Sequence, residues 1–326
     1  MRIIITGVAG FIGFHLAKSC CELGYDVFGV DNFLCGYQEH ITLLSQFSTF
    51  TFYKGSAHDD IVASWLTPDT YVVHLAGLSA LASNQENPFL SYTNNVAVTA
   101  GLLEKCRLHG VRHFIFASTS AVYENSKDFP TPEDTSVNPD LLYSLGKKHA
   151  EDVITSFGTI YGLPFTLLRF FNVYGSHQDS IRTNPPLLPY LVSCFKKNNQ
   201  PVLHSDGLQR RDYIHVSDVV SLIHKIMTLP ATNDVYNVCT GETVSVRELV
   251  DLLQSEMCSS IQPIYRDPVL LWDKSPVLWN GVHTFPKDRM MEEVNKYSCG
   301  DPSKTYLNFG WKATCTIRDG IRKLLE

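Results

Sequence analysis

The sequence predicts an α/β fold, a doubly wound parallel sheet followed by a smaller mixed α/β C-terminal domain. Three features point to it. Short continuous apolar runs alternate with helical stretches through the first half, a glycine-spaced turn joins the first run to the first helix, and the pattern becomes shorter and less regular after Gly175. Strands covered on both faces read as unbroken apolar runs, and right-handed crossovers through helices assemble them into one sheet.

Strands are expected at 2–6, 26–30, 50–54, 71–75, 113–118 and 165–169, and helices at 11–23, 59–66, 88–109 and 142–161. The stretch 176–189, polar and with three prolines, reads as a loop and a domain boundary. That divides the chain into a dinucleotide-binding domain, 1–175, and a second domain, 176–326, with part of 208–235 expected to return to the first. The stretch 263–286 carries four Pro and two Trp with little periodicity and is expected to be irregular.

Composition narrows the class. With 326 residues, 44% apolar and 18% charged, the chain can bury a substantial core. A net charge of −6 argues against a nucleic-acid partner but leaves room for local arginines to hold a phosphate. Nine cysteines without a C-x-x-C pair fit neither a disulfide framework nor a zinc site, and the twelve histidines are scattered, so no metal is expected. The opening run Met1–Thr6 is too short for a signal or membrane segment, which predicts no membrane association and a reduced cytoplasmic setting.

The first strand runs into Gly7-Val8-Ala9-Gly10-Phe11-Ile12-Gly13. A turn without β-carbons at the head of a helix lets backbone N–H groups approach a pyrophosphate, reinforced by the helix dipole. The second strand ends at Asp31-Asn32. A carboxylate there accepts hydrogen bonds from both ribose hydroxyls and repels a 2′-phosphate, favouring NAD over NADP; the other reading is an Asp that caps a turn. Tyr143 and Lys147 stand four residues apart on one face of a helix. An adjacent ammonium is expected to lower the phenol pKa and make it an acid/base, unless the pair is only a surface Lys lying along a half-buried Tyr. Upstream, the strand 114–118 ends in the hydroxyl cluster Ser118-Thr119-Ser120, where ligands bind in such sheets. These hydroxyls either bond a substrate oxygen or satisfy their own backbone.

Together these segments resemble the extended short-chain dehydrogenase/reductases, and among them the NAD-dependent nucleotide-sugar epimerases and dehydratases, most closely UDP-glucose and UDP-GlcNAc 4-epimerases. The similarity runs nearly end to end and also includes His74-Leu75-Ala76, Asn95, Leu168–Gly175, Gly207–Tyr213, Tyr236-Asn237-Val238 and Asp301-Pro302-Ser303-Lys304. It implies a Rossmann domain holding NAD on Gly7, Gly10, Phe11, Ile12, Gly13, Asp31, Asn32, Ser56, Ala57, Leu75, Ala76, Gly77 and Asn95, with Tyr143 as acid/base, Lys147 on the nicotinamide ribose and Thr119 as the third catalytic group. It places a nucleotide-sugar on Thr119, Ser120, Asn172, Arg211, Arg289 and Ser298. Two departures stand out: Ser56 occupies a position often held by Asp near adenine, and a later R-x-G-D/E phosphate motif is degraded around Arg289-Met290-Met291-Glu292-Glu293.

The related dehydratases carry Asp-Glu after the catalytic Thr, and the decarboxylases keep a Glu at the second of those positions. Here Ser120 and Ala121 follow Thr119, which leaves inversion at C4 through a 4-keto sugar as the simplest chemistry. The small Ser298, aligned with a position that gates the C2 substituent, implies tolerance of UDP-N-acetylhexosamines, unless it is an ordinary loop serine. Net oxidoreduction of a nucleotide-sugar and a non-catalytic NAD-binding regulator are the alternatives. The resemblance also implies a homodimer, paired through 88–109 and 142–161.

Overall fold

Ile3, Ile4 and Ile5 are wholly buried, and the strand that carries them, β1 (Arg2–Thr6), lies in the interior of a seven-stranded sheet in the computed structural model, which describes residues 1–180, 182, 184–280 and 282–326. On one side β1 pairs with β2 (Asp26–Asp31) and that with β3 (Phe50–Lys54). On the other side follow β4 (Thr70–His74), β5 (His113–Thr119), β6 (Phe165–Phe170) and, at the edge, Asp234–Val238. Every pairing is parallel. The fold class and six strands stand as the sequence predicts, with ends moved by a residue. The seventh strand was missed because Asp234 opens it and Asn237 interrupts its apolar run.

Alternation along β1 sends its side chains to two layers. Ile3 and Ile5 pack with Phe14 and Leu16 of α1 (Phe11–Glu22) and with Val219 and Ile223 of the helix Val216–Met227. Ile4 faces Leu102, Phe114 and Ile154 beneath the helices Val98–His109 and Leu142–Tyr161. The chain passes outward from β1 to β2 and β3, then returns to β4 on the other flank of β1. The crevice at the carboxyl ends of β1 and β4 is therefore the switch point at which ligands bind in open sheets.

Two expected helices differ. The stretch 59–66 forms only one turn, Asp60–Ala63. The stretch 88–109 is helical throughout but holds a π-turn, Thr93–Ala97, between Pro88–Tyr92 and Val98–His109; π-turns shift the register of the residues they carry, and this one carries Asn95. The helices Leu187–Lys196, Val246–Met257 and Ile317–Leu325 enclose a separate core with Tyr174, Leu191 and Leu249. In the expected loop 176–189, Ile181 and Thr183 lie outside the described residues, and the helix begins at Leu187. The stretch 263–286 holds a short strand, Ile264–Arg266, paired with Val202–His204, and two 3-10 segments, Pro268–Lys274 and Pro276–Trp279; Gly281 lies outside the described residues. Among the described residues no helix is long and apolar enough to cross a membrane, and no group of three or more His, Cys, Asp or Glu is placed to hold a metal.

Candidate active site

The glycine turn is tight because the backbone passes close on several sides. Gly7 has φ +72°, and a β-carbon on it would lie 2.8 Å from the Ala76 nitrogen. On Gly13 a β-carbon would meet the Gly7 carbonyl oxygen at 2.2 Å. Gly10 caps α1 with no side-chain hydrogen bond, so the first-turn N–H groups of Phe11, Ile12 and Gly13 are offered to an anion. This cradle fits the pyrophosphate of a dinucleotide.

Asp31 closes β2 beside it. Its Oδ2 accepts the Ala9 N–H at 3.0 Å and its Oδ1 the Phe33 N–H at 2.7 Å. Burial pushes its carboxyl above the usual range while these two donors oppose the shift. Asn32 accepts from the Leu34 N–H at 3.0 Å and so shapes the turn. Ser56 and buried Ala57 follow β3 at the same sheet end, with Ser56 Oγ 2.7 Å from His58 Nδ1.

Leu75, Ala76 and Gly77 continue from β4 across the cradle. Ala76 N–H donates to Thr6 Oγ1 at 3.2 Å, Thr6 Oγ1 lies 2.6 Å from His74 Nδ1, and His74 Nε2 lies 2.9 Å from Thr99 Oγ1. Burial, and then the nearby Lys147 charge, lower His74 to about 3, so its imidazole is neutral. Asn95 is brought to the site, but its amide is spent on the following loop. Its Oδ1 accepts the Leu78 N–H at 2.9 Å and its Nδ2 donates to the Leu78 carbonyl at 3.2 Å. A β-carbon on Gly77 would stand 2.8 Å from Asn95 Oδ1 and 3.4 Å from Lys147 Nζ, so cradle and catalytic lysine adjoin.

Thr119 ends β5, and Tyr143 lies in the first turn of Leu142–Tyr161. The Thr119 hydroxyl acts on the Tyr143 phenol and favours its charged form, which brings the expected pair together. Thr119 Oγ1 accepts the Ala121 N–H at 3.1 Å, so this hydroxyl meets its own backbone, the second of its two readings. Ser120, half-buried, opens the next turn.

One expectation requires correction. Burial raises the Tyr143 pKa above its ordinary value, and the groups that oppose it are Thr119 and Arg182 rather than Lys147. The Lys147 ammonium turns instead to the Ala117 carbonyl, 2.8 Å away, and lies over the Phe116 ring. Burial lowers it to about 8, with Glu151 opposing.

Behind the triad is a buried network whose members the sequence reading assigned no role. Arg169 Nη2 and Nε bind Glu151 at 2.7 and 3.0 Å, and Ser118 Oγ donates to the same carboxylate. Arg169 Nη1 donates to Tyr123 Oη at 2.6 Å, and Tyr123 donates to Asn237 Oδ1 at 2.9 Å. The network ties the end of β5 to the helix of Tyr143 and Lys147. Arg169 and Asn237 sit in the motif segments singled out above, and Tyr123 lies three residues beyond the hydroxyl cluster; Glu151, one turn beyond Lys147, was the available signal.

A cavity of about 710 Å³ opens in the C-terminal half, lined among others by Asn172, Tyr190, Gln209, Arg211, Arg266, Lys274 and Glu293. Asn172 begins a short strand directly after β6 and donates to the Asp212 carbonyl at 3.0 Å. Arg211 donates to the Glu293 carbonyl at 2.8 Å, its pKa is lowered by burial, and it has no carboxylate within 4.0 Å among the described residues. A half-buried guanidinium without a carboxylate partner, facing a cavity, suits an anionic ligand.

The other two expected substrate residues are placed differently. Arg289 does not line the cavity; its guanidinium pairs with Glu124 at 3.3 Å, Asp140 at 3.1 Å, Glu292 at 3.6 Å and Glu293 at 2.8 Å. Ser298 pairs through its backbone with the Arg211 strand, its N–H donating to the Arg210 carbonyl at 3.1 Å, and its side chain is not part of the cavity wall.

A glycine cradle at the switch point, a Thr–Tyr–Lys set on its rim and an arginine-lined cavity opposite define a nucleotide-dependent oxidoreductive site. The chain belongs to the NAD dependent epimerase/dehydratase family, whose model matches residues 3–239, and NAD is its cofactor. Among curated relatives, a UDP-glucose 4-epimerase of Haemophilus influenzae is 31% identical over 279 residues, covering 77% of this chain and 81% of that protein. Among solved structures, a UDP-glucose 4-epimerase from the hyperthermophile Thermotoga maritima, with UDP-glucose, is 30% identical with a TM-score of 0.85, covering 100% of this chain and 97% of that one. A UDP-N-acetylglucosamine 4-epimerase from Methanobrevibacter ruminantium, in complex with UDP-N-acetylmuramic acid, is 25% identical with a TM-score of 0.86, covering 99% and 98%.

Proposed function

We propose that the protein inverts C4 of a UDP-hexose or UDP-N-acetylhexosamine, using bound NAD. The observation that carries this reading is the placing of Thr119 at the end of β5 beside the helix that bears Tyr143 and Lys147, with the Lys147 ammonium against Gly77 of the dinucleotide cradle.

The cradle residues and Asp31 hold the dinucleotide. Bound there, NAD would supply reversible hydride acceptance for C4 and a positive charge that would favour a phenolate. Tyr143, as phenolate, accepts the proton of the sugar 4-hydroxyl and later returns it. Thr119 steadies the same oxygen while it is a ketone. Arg211 and Asn172 hold the diphosphate end, so the keto sugar can turn about that link and present its other face.

Elimination of water would require a carboxyl group at the sugar, and Ser120 and Ala121 offer none. Glu124, the next acid along, is committed: it accepts from the Leu141 N–H at 2.9 Å and from Ser144 Oγ at 2.7 Å, and pairs with Arg289. Tyr143→Phe is expected to reduce kcat by roughly a hundredfold or more; activity near that of the wild type would remove its assigned role. A panel of UDP-, GDP-, CDP- and dTDP-sugars, followed by NMR, tests the substrate class. Inversion at C4 of UDP-sugars, N-acetylated ones included, is expected.

We also read the protein as a homodimer in a reducing cytoplasm. Phe89, Tyr92, Leu108, Ile160 and Tyr161 are exposed apolar residues on the two helical stretches 88–109 and 142–161, and all nine cysteines are unpaired.

A further inference from the structure

A sugar diphosphate presents two charged phosphates, and Arg211 is one guanidinium. The family pattern assigns a second cation to the stretch around Arg289, but four carboxylates already claim that side chain. The cavity wall offers two other cations, Arg266 and Lys274. Neither has a carboxylate within 4.0 Å among the described residues. Arg266 ends the strand paired with Val202–His204, where it stands opposite His204. Lys274 ends the segment Pro268–Lys274, which packs on the helix Lys287–Asn295. That helix supplies the Glu293 carbonyl to which Arg211 is bonded, so Lys274 and Arg211 are mounted on one structural unit.

The segment is anchored at both ends. Buried Leu278 and Met290 gather Leu271, Trp279 and Phe285 together with Leu81 and Ala82, which open the helix Leu81–Glu86 after β4. Lys274 is thus carried on a strap that joins the nucleotide cavity to the helix Leu81–Glu86 after β4. A compact ammonium on a flexible stem, with no counter-ion among the described residues and lining a cavity, suits a phosphate.

We propose that Lys274 is the second diphosphate-binding residue of this protein, in the place that the family pattern gives to Arg289. The inference rests on the UDP-sugar reading. Its test is calorimetric titration of the purified holoenzyme with UDP and with UMP, comparing wild type, Lys274→Met and, as a reference, Arg211→Met. Lys274→Met is expected to weaken UDP binding roughly tenfold, with a smaller loss for UMP. It should raise KM for the UDP-sugar while kcat and NAD content stay as in wild type. The difference from wild type should shrink at high salt, where exposed charges are screened. Unchanged UDP affinity in Lys274→Met, with normal binding by wild type, overturns this inference alone. Failure of the wild type to bind UDP overturns the UDP-sugar reading and the inference with it.

Discussion

Lys147 sets the pH behaviour of the reaction centre. Its ammonium is buried, and burial lowers it to about 8. A base whose pKa is depressed keeps its charge below that value and loses it above. The kcat/KM profile should therefore fall as pH rises through about 8, and Lys147→Arg, which stays charged, should move that limb upward. A limb unmoved in the variant would assign it to another group. Asp31→Ala should raise the use of NADP relative to NAD, measured as the cofactor retained or reactivating the apoenzyme, since the carboxylate no longer repels a 2′-phosphate. Tyr143, Lys147 and Thr119 were legible because a helix repeat and a strand end fix their common face. Arg289 was not. Two of its partners, Glu124 and Asp140, lie more than a hundred residues upstream, and sequence order does not reveal which acid claims a guanidinium. The phenol pKa was misjudged because spacing shows that two groups share a face but not that Ala117 holds the ammonium.

At the scale of elements, the glycine turn and the buried ion pair matter most. Gly13→Ala places a methyl 2.2 Å from the Gly7 carbonyl oxygen, against backbone that cannot yield. The variant should lose bound NAD and melt at a lower temperature; full NAD occupancy would mean that the turn is looser than described. Glu151→Gln leaves Arg169 buried without its carboxylate and should cost about 3–5 kcal/mol in denaturant unfolding. A change below about 1 kcal/mol would mean that water or another acid replaces it. Six strands were readable from their short apolar runs, and the 142–161 helix from apolar residues spaced among polar ones between two of those strands. The seventh strand and the π-turn were not, since a polar edge strand has no run to read and a register shift inside a helix leaves the apolar pattern intact.

Across the whole molecule, the dinucleotide crevice and the cationic cavity are separate structures, joined at Asn172 and by the strap through Leu278. This division allows one end of a substrate to be held while the other is oxidised, turned and reduced. Sedimentation equilibrium should give a dimer, and charged substitutions at Phe89 and Ile160 should yield monomers; an unaltered dimer would move the interface elsewhere. The most direct test of the account is turnover of UDP-glucose deuterated at C4, followed by NMR and by absorbance at the reduced-cofactor wavelength. UDP-galactose should form with deuterium still on C4 and no net NADH. Deuterium lost to solvent, or NADH formed in step with product, would contradict it.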